Sequence, residues 1–455
     1  MSVRSVVYVT LAAAGVLGAG TAAARAQARP TAPARASAPA RAAAVPAADT
    51  AALRAAVDRV APAMIELRHD LHQHPELGNR ETRTSGLVAE RLRAMGVEVR
   101  TGVAHTGVVG VLRGGRPGPV VAVRADMDAL PVTEATDLPY KSTVRTTYNG
   151  QDVGVMHACG HDEHTAILLG VAQILAGMRE RLSGTVLFVF QPAEEGPPAG
   201  EDGGARMMLA EGAFRDPRPS AVFGLHTMAE MPVGQLGFTP GPALASATSF
   251  HAVIRGRQAH GARPELSVDP IVTASQVVMA LQTIRSRNTS PFAPTVLTVG
   301  MLHAGERENI IPGEARLAGT VRTYDAAVLQ TIERRMREVF GGVTQSAGAT
   351  FTLDFDEAYP VTVNDTALTA RMVPSLRWAV GAENVSQLAP ATVSEDFSYF
   401  ANDVPGFYFR LGVLKAGTVS GDHHSPTFLA DDSAIPVGIR AMTTVVLDYL
   451  AGGAR

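Results

Sequence analysis

Cysteine occurs once in the 455 residues, at position 159. A single thiol excludes a disulfide framework, the usual use of cysteine in an exported protein. An unpaired thiol there is a liability unless it is buried or occupied. Charge of one sign is also missing. Forty Lys and Arg face forty-three Asp and Glu, for a formal net charge of −3. No basic surplus points to nucleic acid or an anionic membrane surface. Aromatic residues make up only 5% of the chain. With alanine so abundant, that scarcity reflects codon bias more than chemistry. No internal repeat is found. What remains is a globular composition, 46% hydrophobic and 18% charged, in a chain long enough for two or more cores.

The N-terminus reads as an export signal. Arg4 gives a short positive region, an apolar stretch runs from 6 to about 20, and small residues around 24–28 offer cleavage sites. The stretch is too short and wrongly flanked for a membrane span. Twin arginines and a lipobox cysteine are lacking. Residues 29–49 are rich in Ala, Pro and Arg, which suits a linker. The expectation is a signal peptide over 1–28, a linker over 29–49, and a periplasmic or secreted mature chain with no membrane attachment after cleavage.

Periodicity predicts helices over 50–73 and 81–95, then strands near 97–99 and 107–113. Three apolar runs come next, at 120–123, 185–190 and 221–224. Each leads into polar residues: Asp126 and Asp128, Glu194 and Glu195, and His226. In an open α/β sheet the carboxyl ends of such strands are where sites are built. An apolar helix is expected over 165–178. From 246 to 358 the predicted order is β-α-β-β-α-β, that of a ferredoxin-like module. The chain therefore divides into a catalytic α/β part (50–245 and 359–455) and an inserted α+β domain (246–358). The second part of the catalytic domain holds a strand at 407–411 and a helix at 433–450.

Residues 157–164 read HACGHDEH. Thiolate and imidazole are the ligands that zinc and similar ions prefer. Cys159 and His161 stand two apart around a glycine, before a helix whose dipole favours a thiolate. A single histidine here would be ordinary; three histidines and a cysteine in eight residues are not. Glu194 and Glu195 repel each other if both are free, so a nearby cation or full solvation is implied. A division of labour is natural, one carboxylate on metal and the other moving a proton. His226 is expected at a strand end, and His423 and His424 lie near the C-terminus. Cys159, His161, Glu195, His226 and one of the last pair make five ligands. Five with one bridging suit two metals, at a separation of roughly 3.5–4 Å. Asp126 and Asp128 could orient ligating histidines, although a polar strand end facing water also accounts for Asp126.

These motifs resemble the metallo-amidohydrolases that include N-acyl-L-amino-acid amidohydrolase, hippurate hydrolase and the auxin-conjugate (IAA-amino acid) hydrolases, relatives of aminoacylase and carboxypeptidase G. The likeness spans about 68–450. It rests on RHDLHQHPEL (68–77), RADMDALP (124–131), MHACGHDEH (156–164), FQPAEE (190–195), GLH (224–226), SEDF (394–397) and HSP (424–426). The resemblance implies a two-domain di-metal peptidase fold, the inserted domain serving as lid and dimerisation domain. It implies that Cys159 bridges two divalent ions; the mixed Cys/His/Glu ligation allows zinc, manganese, cobalt or nickel. Glu195 and His424 would complete one site, His161 and His226 the other. Glu194 would be the general base and later the acid, with Asp128 behind the ligands. On the lid, in GRQAHGARP (256–264), His260 would polarise the carbonyl oxygen; in some relatives that histidine comes from a second subunit. Asn309 and Arg322 would hold a substrate carboxylate. Taken alone, His260, Asn309 and Arg322 are ordinary surface residues. One departure stands out. The run after Glu195, GPPAGEDGGA (196–205), is longer than in many members and carries two prolines and an acidic pair, which bears on substrate preference.

The expected activity is cleavage of an N-acyl amino acid or a similar small amide, with a homodimer formed through the lid. The alternatives are a carboxypeptidase or dipeptidase of the same fold, a cysteine hydrolase using Cys159 with a histidine and Asp162, and an inactive binding protein. The cysteine reading leaves Glu194, Glu195, His226 and His424 without a task.

Overall fold

The computed structural model describes residues 47–452. The expected signal peptide, and the expected linker up to residue 46, lie outside them. The first described helix, Ala47–Gln73, starts three residues before the expected 50.

The centre is an eight-stranded mixed sheet. Its order is Glu98–Val103, Gly107–Arg113, Ser183–Gln191, Arg116–Asp126, Val222–Pro232, Gly406–Leu414, Leu236–Phe238 and Val385–Gln387. The four middle strands, from Ser183–Gln191 to Gly406–Leu414, are mutually parallel. Both faces are covered, which explains why their sequences read as unbroken apolar runs. Val121, Val123, Phe188 and Phe223 point into one core with the helices Ala47–Gln73, His161–Gly177 and Ala434–Ala451. Ala122, Leu187, Val189 and Val222 point the other way, toward Met208, Phe397 and Phe400. Alternation along a strand sends neighbours to opposite faces. Parallel strands finish at one edge of the sheet, and that edge receives the polar residues following 126 and 191.

A second sheet has the order Thr295–Ala304, Glu314–Thr323, Ala247–Arg255 and Thr350–Tyr359, antiparallel throughout. Helices Pro270–Arg287 and Ala326–Ala347 pack on it around Phe250, Leu281, Met336 and Phe340, a core of its own. Both helices start on an aspartate whose side chain accepts backbone N–H groups, Asp269 from Ile271 and Val272, and Asp325 from Ala327. In chain order the strands stand second, third, first and fourth, the ferredoxin-like arrangement.

Candidate metal centre and catalytic turn

The helix carrying HACGHDEH begins at His161, not near 165, so its first turn is part of the site. Gly160 precedes it at φ +87°, and a Cβ there would lie 2.4 Å from the Thr227 hydroxyl. Glycine is required by both torsion and space. The helix is thereby pressed against the strand Val222–Pro232. His226 does not end that strand as expected. It sits within it, opposite Arg410, and the strand runs on for six residues.

Cys159 Sγ lies 3.4 Å from His226 Nε2. The donor atoms of Cys159, His161 and His226 lie within 4.8 Å of one another, and so do those of Cys159, Glu195 and His424. The two groups share the thiol. His424 is held by its own N–H, which donates to the Ala158 carbonyl at 2.8 Å, and its Nε2 stands 3.0 Å from Glu195 Oε1. His423 turns away and contacts the Thr227 carbonyl through Nε2 at 3.2 Å. Of these neighbours it is His424 whose ring nitrogen joins the group of donor atoms.

The ring nitrogens show which atoms are free. His161 Nδ1 lies 2.9 Å from the Asp128 carbonyl and 3.2 Å from Asp128 Oδ1. His226 Nδ1 lies 2.7 Å from the Thr227 carbonyl. In each ring Nδ1 is taken by an oxygen acceptor, so Nε2 is the atom left to face an ion, and at His161 an ion there would displace the Nε2 proton. His161 Nε2 is buried without a hydrogen-bond partner. Carboxylate oxygens of Asp126, Glu194 and Glu195 lie 3.7, 3.9 and 3.9 Å from it. His164 is different. Thr227 N–H donates to its Nε2 at 2.9 Å, and its Nδ1 faces Asp126 at 2.5 Å. Both nitrogens are used, so His164 braces strand against helix and has no lone pair to spare.

Asp126 does not face water. It is fully buried, with Oδ2 2.6 Å from Arg124 Nη1. The same guanidinium reaches Gln191, Glu395 and Asp396 at 2.7, 2.8 and 3.1 Å. Sequence reasoning gave Arg124 and Glu395 no role. A charged residue inside an apolar strand was the available signal, because a buried guanidinium must be paired.

Burial pushes the Cys159 thiol well up, and the nearby carboxylates of Glu195, Glu194 and Asp126 push in the same direction. The helix dipole expected to favour the thiolate is outweighed, so ionising Cys159 requires a cation. Glu194 is likewise raised well above the carboxylate range, by burial and then by Glu395, Glu195 and Asp396. At His161 burial opposes the charged form, but Asp126 and Asp128 win and hold it at about 10. A thiol, three imidazoles and carboxylates with their donor atoms crowded together fit one or more divalent ions.

The turn between the strand Ser183–Gln191 and the loop beyond it carries Glu194. Its carbonyl accepts the Tyr359 hydroxyl at 2.7 Å, and the Asp396 N–H points to its Oε1 at 3.4 Å. The loop 196–205 is tied down by Glu201, which accepts from Arg80 and Asn79. His260 and Asn309 are exposed at a separate two-stranded pairing, Ala259–His260 with Ile310–Ile311, where Gly261 N–H donates to the Asn309 carbonyl at 2.8 Å. Among the described residues, neither has a hydrogen bond or ion pair with the Cys159 cluster. Arg322 is half-buried, donates to Thr320, and has no carboxylate partner among the described residues.

An α/β sheet whose carboxyl edge gathers Cys159, His161 and His226 with the partly buried Glu195 and the exposed His424 is the setting of a metal-dependent hydrolase. The sequence profile of Peptidase family M20/M25/M40 matches residues 122–448. The chain belongs to this family and is a hydrolase of C–N bonds. It is 37% identical over 401 residues to thermostable carboxypeptidase 2 of Saccharolobus solfataricus, covering 87% of this chain and 98% of that one. It is 37% identical over 391 residues to the IAA-amino acid hydrolase ILR1-like 2 of Arabidopsis thaliana, covering 85% of each. The N-acetyl-L-cysteine deacetylase of Bacillus subtilis is 38% identical over 378 residues, covering 82% of this chain and 84% of that one. Among solved structures, the Bacillus subtilis YXEP protein, a dinuclear metal-binding peptidase of the M20 family, superposes with a TM-score of 0.72 at 32% identity. That match covers 87% of this chain and 99% of that one.

Proposed function

We propose that this chain is an exported amidohydrolase that cleaves N-acyl amino acids, with two divalent cations held by residues of the Cys159 cluster. One observation carries the reading: two sets of ligand atoms share Cys159, and Glu194 stands beside both. Cys159, His161 and His226 would hold one ion, and Cys159, Glu195 and His424 the other. When bound, the ions supply the positive charge that polarises the scissile carbonyl and makes a water more acidic.

The chain's own residues do the rest. Glu194 takes the proton of the attacking water and returns it to the leaving amine. Asp128 fixes His161 through Nδ1, and His164 fixes the strand that carries His226. His260 would reach the carbonyl oxygen, and Asn309 with Arg322 would receive the substrate carboxylate. An unpaired guanidinium suits that task. His260 and Asn309 stand apart from the cluster here, so the four-stranded segment would act as a lid. A second copy of the chain would pair along the edge strand Thr295–Ala304, whose Met301 and Leu302 are exposed. Export rests on the N-terminal sequence pattern alone.

The test is a panel of N-acetyl, benzoyl, aminobenzoyl and indoleacetyl amino acids plus dipeptides, with zinc, manganese, cobalt or nickel supplied in turn. Cleavage of N-acyl amino acids that is lost on chelation and restored by metal supports the reading. Full activity without metal sinks it and would favour Cys159 as nucleophile. Cleavage of dipeptides alone would favour the carboxypeptidase or dipeptidase reading, to which the Saccharolobus relative lends weight.

A further inference from the structure

Glu81 has no place in the functional reading, yet it is completely buried. It stands just before the helix Thr82–Ala94, and its side chain makes no capping bond to that helix. No Lys or Arg pairs with it among the described residues. Burying a carboxyl group without a cation is costly. Burial, with the Asp128 charge adding to it, pushes Glu81 up to about 8. Its two oxygens are nevertheless both used. Oε1 accepts the Ala193 N–H at 2.8 Å, and Oε2 accepts the Thr106 hydroxyl.

Ala193 is the residue just before Glu194 and Glu195, and its φ is +50°. The left-handed region is disfavoured for any residue with a Cβ. The turn is closed by Gly196 N–H donating to the Ala193 carbonyl at 3.3 Å. Gly78 leaves room for the alanine, since a Cβ at that position would stand 3.1 Å from the Ala193 side chain. The backbone of the turn is therefore gripped from three sides. Tyr359 takes the carbonyl of Glu194, Asp128 takes the N–H of Glu195 at 2.9 Å, and Glu81 takes the N–H of Ala193. The first two act on the glutamates themselves. Glu81 acts on the torsion that aims them. If Ala193 relaxed to negative φ, both carboxylates would swing away from His161 Nε2, which each now faces at 3.9 Å.

We propose that Glu81 is a positioning residue for the catalytic turn: it locks Ala193 in its left-handed conformation so that Glu194 and Glu195 are presented together at the metal centre. The inference rests on the reading of those two residues as base and ligand.

The test compares the metal-loaded wild type with Glu81→Gln, Glu81→Asp and Glu81→Ala. Glutamine can accept from Ala193 and donate to Thr106, so its kcat should stay close to that of the wild type. Aspartate is one methylene too short to span both partners. A displacement of about 1 Å can cost about 100-fold in rate, so Glu81→Asp should lose kcat on that scale with KM nearly unchanged. Chelator competition gives a reading independent of turnover: the Glu81→Asp protein should release an ion about 10-fold more readily, and the Glu81→Gln protein should not. A purely structural role would lower the thermal midpoint and leave kcat per folded, metal-loaded enzyme unchanged, which overturns the proposal. A Glu81→Gln variant as impaired as Glu81→Asp also overturns it. If Glu81→Ala does not fold, the other two variants decide. Should the wild type cleave nothing on the substrate panel, the functional reading fails, and metal retention alone decides the role of Glu81.

Discussion

Asp128 Oδ1 lies 3.2 Å from His161 Nδ1, while its other oxygen accepts the Glu195 N–H at 2.9 Å. One carboxylate thus sets the positions of two residues that belong to different ligand groups. In Asp128→Asn an NH2 must face either a ring N–H or a backbone N–H, so one contact is lost. Metal affinity should fall about 10- to 100-fold. Chelator competition measures it, and an affinity equal to that of the wild type would contradict the role given to Asp128.

Glu194→Gln keeps the shape of the side chain and removes its ability to take a proton. Turnover should fall by about 10²- to 10⁴-fold with two ions still bound. Elemental analysis alongside kcat separates this from loss of metal. Turnover at the wild-type level would refute Glu194 as the base.

His423 and His424 are adjacent and face different partners. His424→Ala should cost one of two bound ions. His423→Ala should keep both, although His423 packs 5.0 Å from the Phe428 ring and its loss should lower stability. Metal content per chain decides, and the reverse pattern would exchange the two assignments.

Arg68 is buried, with Nε 2.8 Å from Asp162 Oδ2 and Nη1 3.0 Å from Asp432 Oδ1. Arg68→Met would leave Asp162 buried with only His72 beside it, at a cost of about 3–5 kcal/mol. Burial opposes the charged form of Asp162, but Arg68 and His72 win and hold it well below the carboxylate range. A depressed carboxylate contributes its full stability above its unfolded value, about 3.9, and loses it as pH falls toward the folded value. Denaturant unfolding of the wild type should show stability dropping below about pH 4, and Arg68→Met should flatten that slope. Parallel slopes in the two proteins would show that Asp162 is not its source.

The sequence by itself determined the strands and the kinds of chemistry on offer. The runs VVAV, TVLFVF and AVFG contain too many apolar residues to be anything but covered on both faces, and the polar residues after them gather toward one edge of the sheet. The eight residues from His157 to His164 carried the metal signal because ligand identity and spacing are local properties. The order β-α-β-β-α-β was equally local.

Only the tertiary structure decided how that chemistry is divided. It placed the ring of His424, and not that of His423, beside Glu195 and occupied both nitrogens of His164. It turned Asp126 inward onto Arg124 and brought Glu81 to Ala193 across 112 positions. None of these has a period or a spacing to read. Each depends on which strands lie side by side and on which ring nitrogen is already taken by a backbone group, and both are fixed only when the sheet closes over its core.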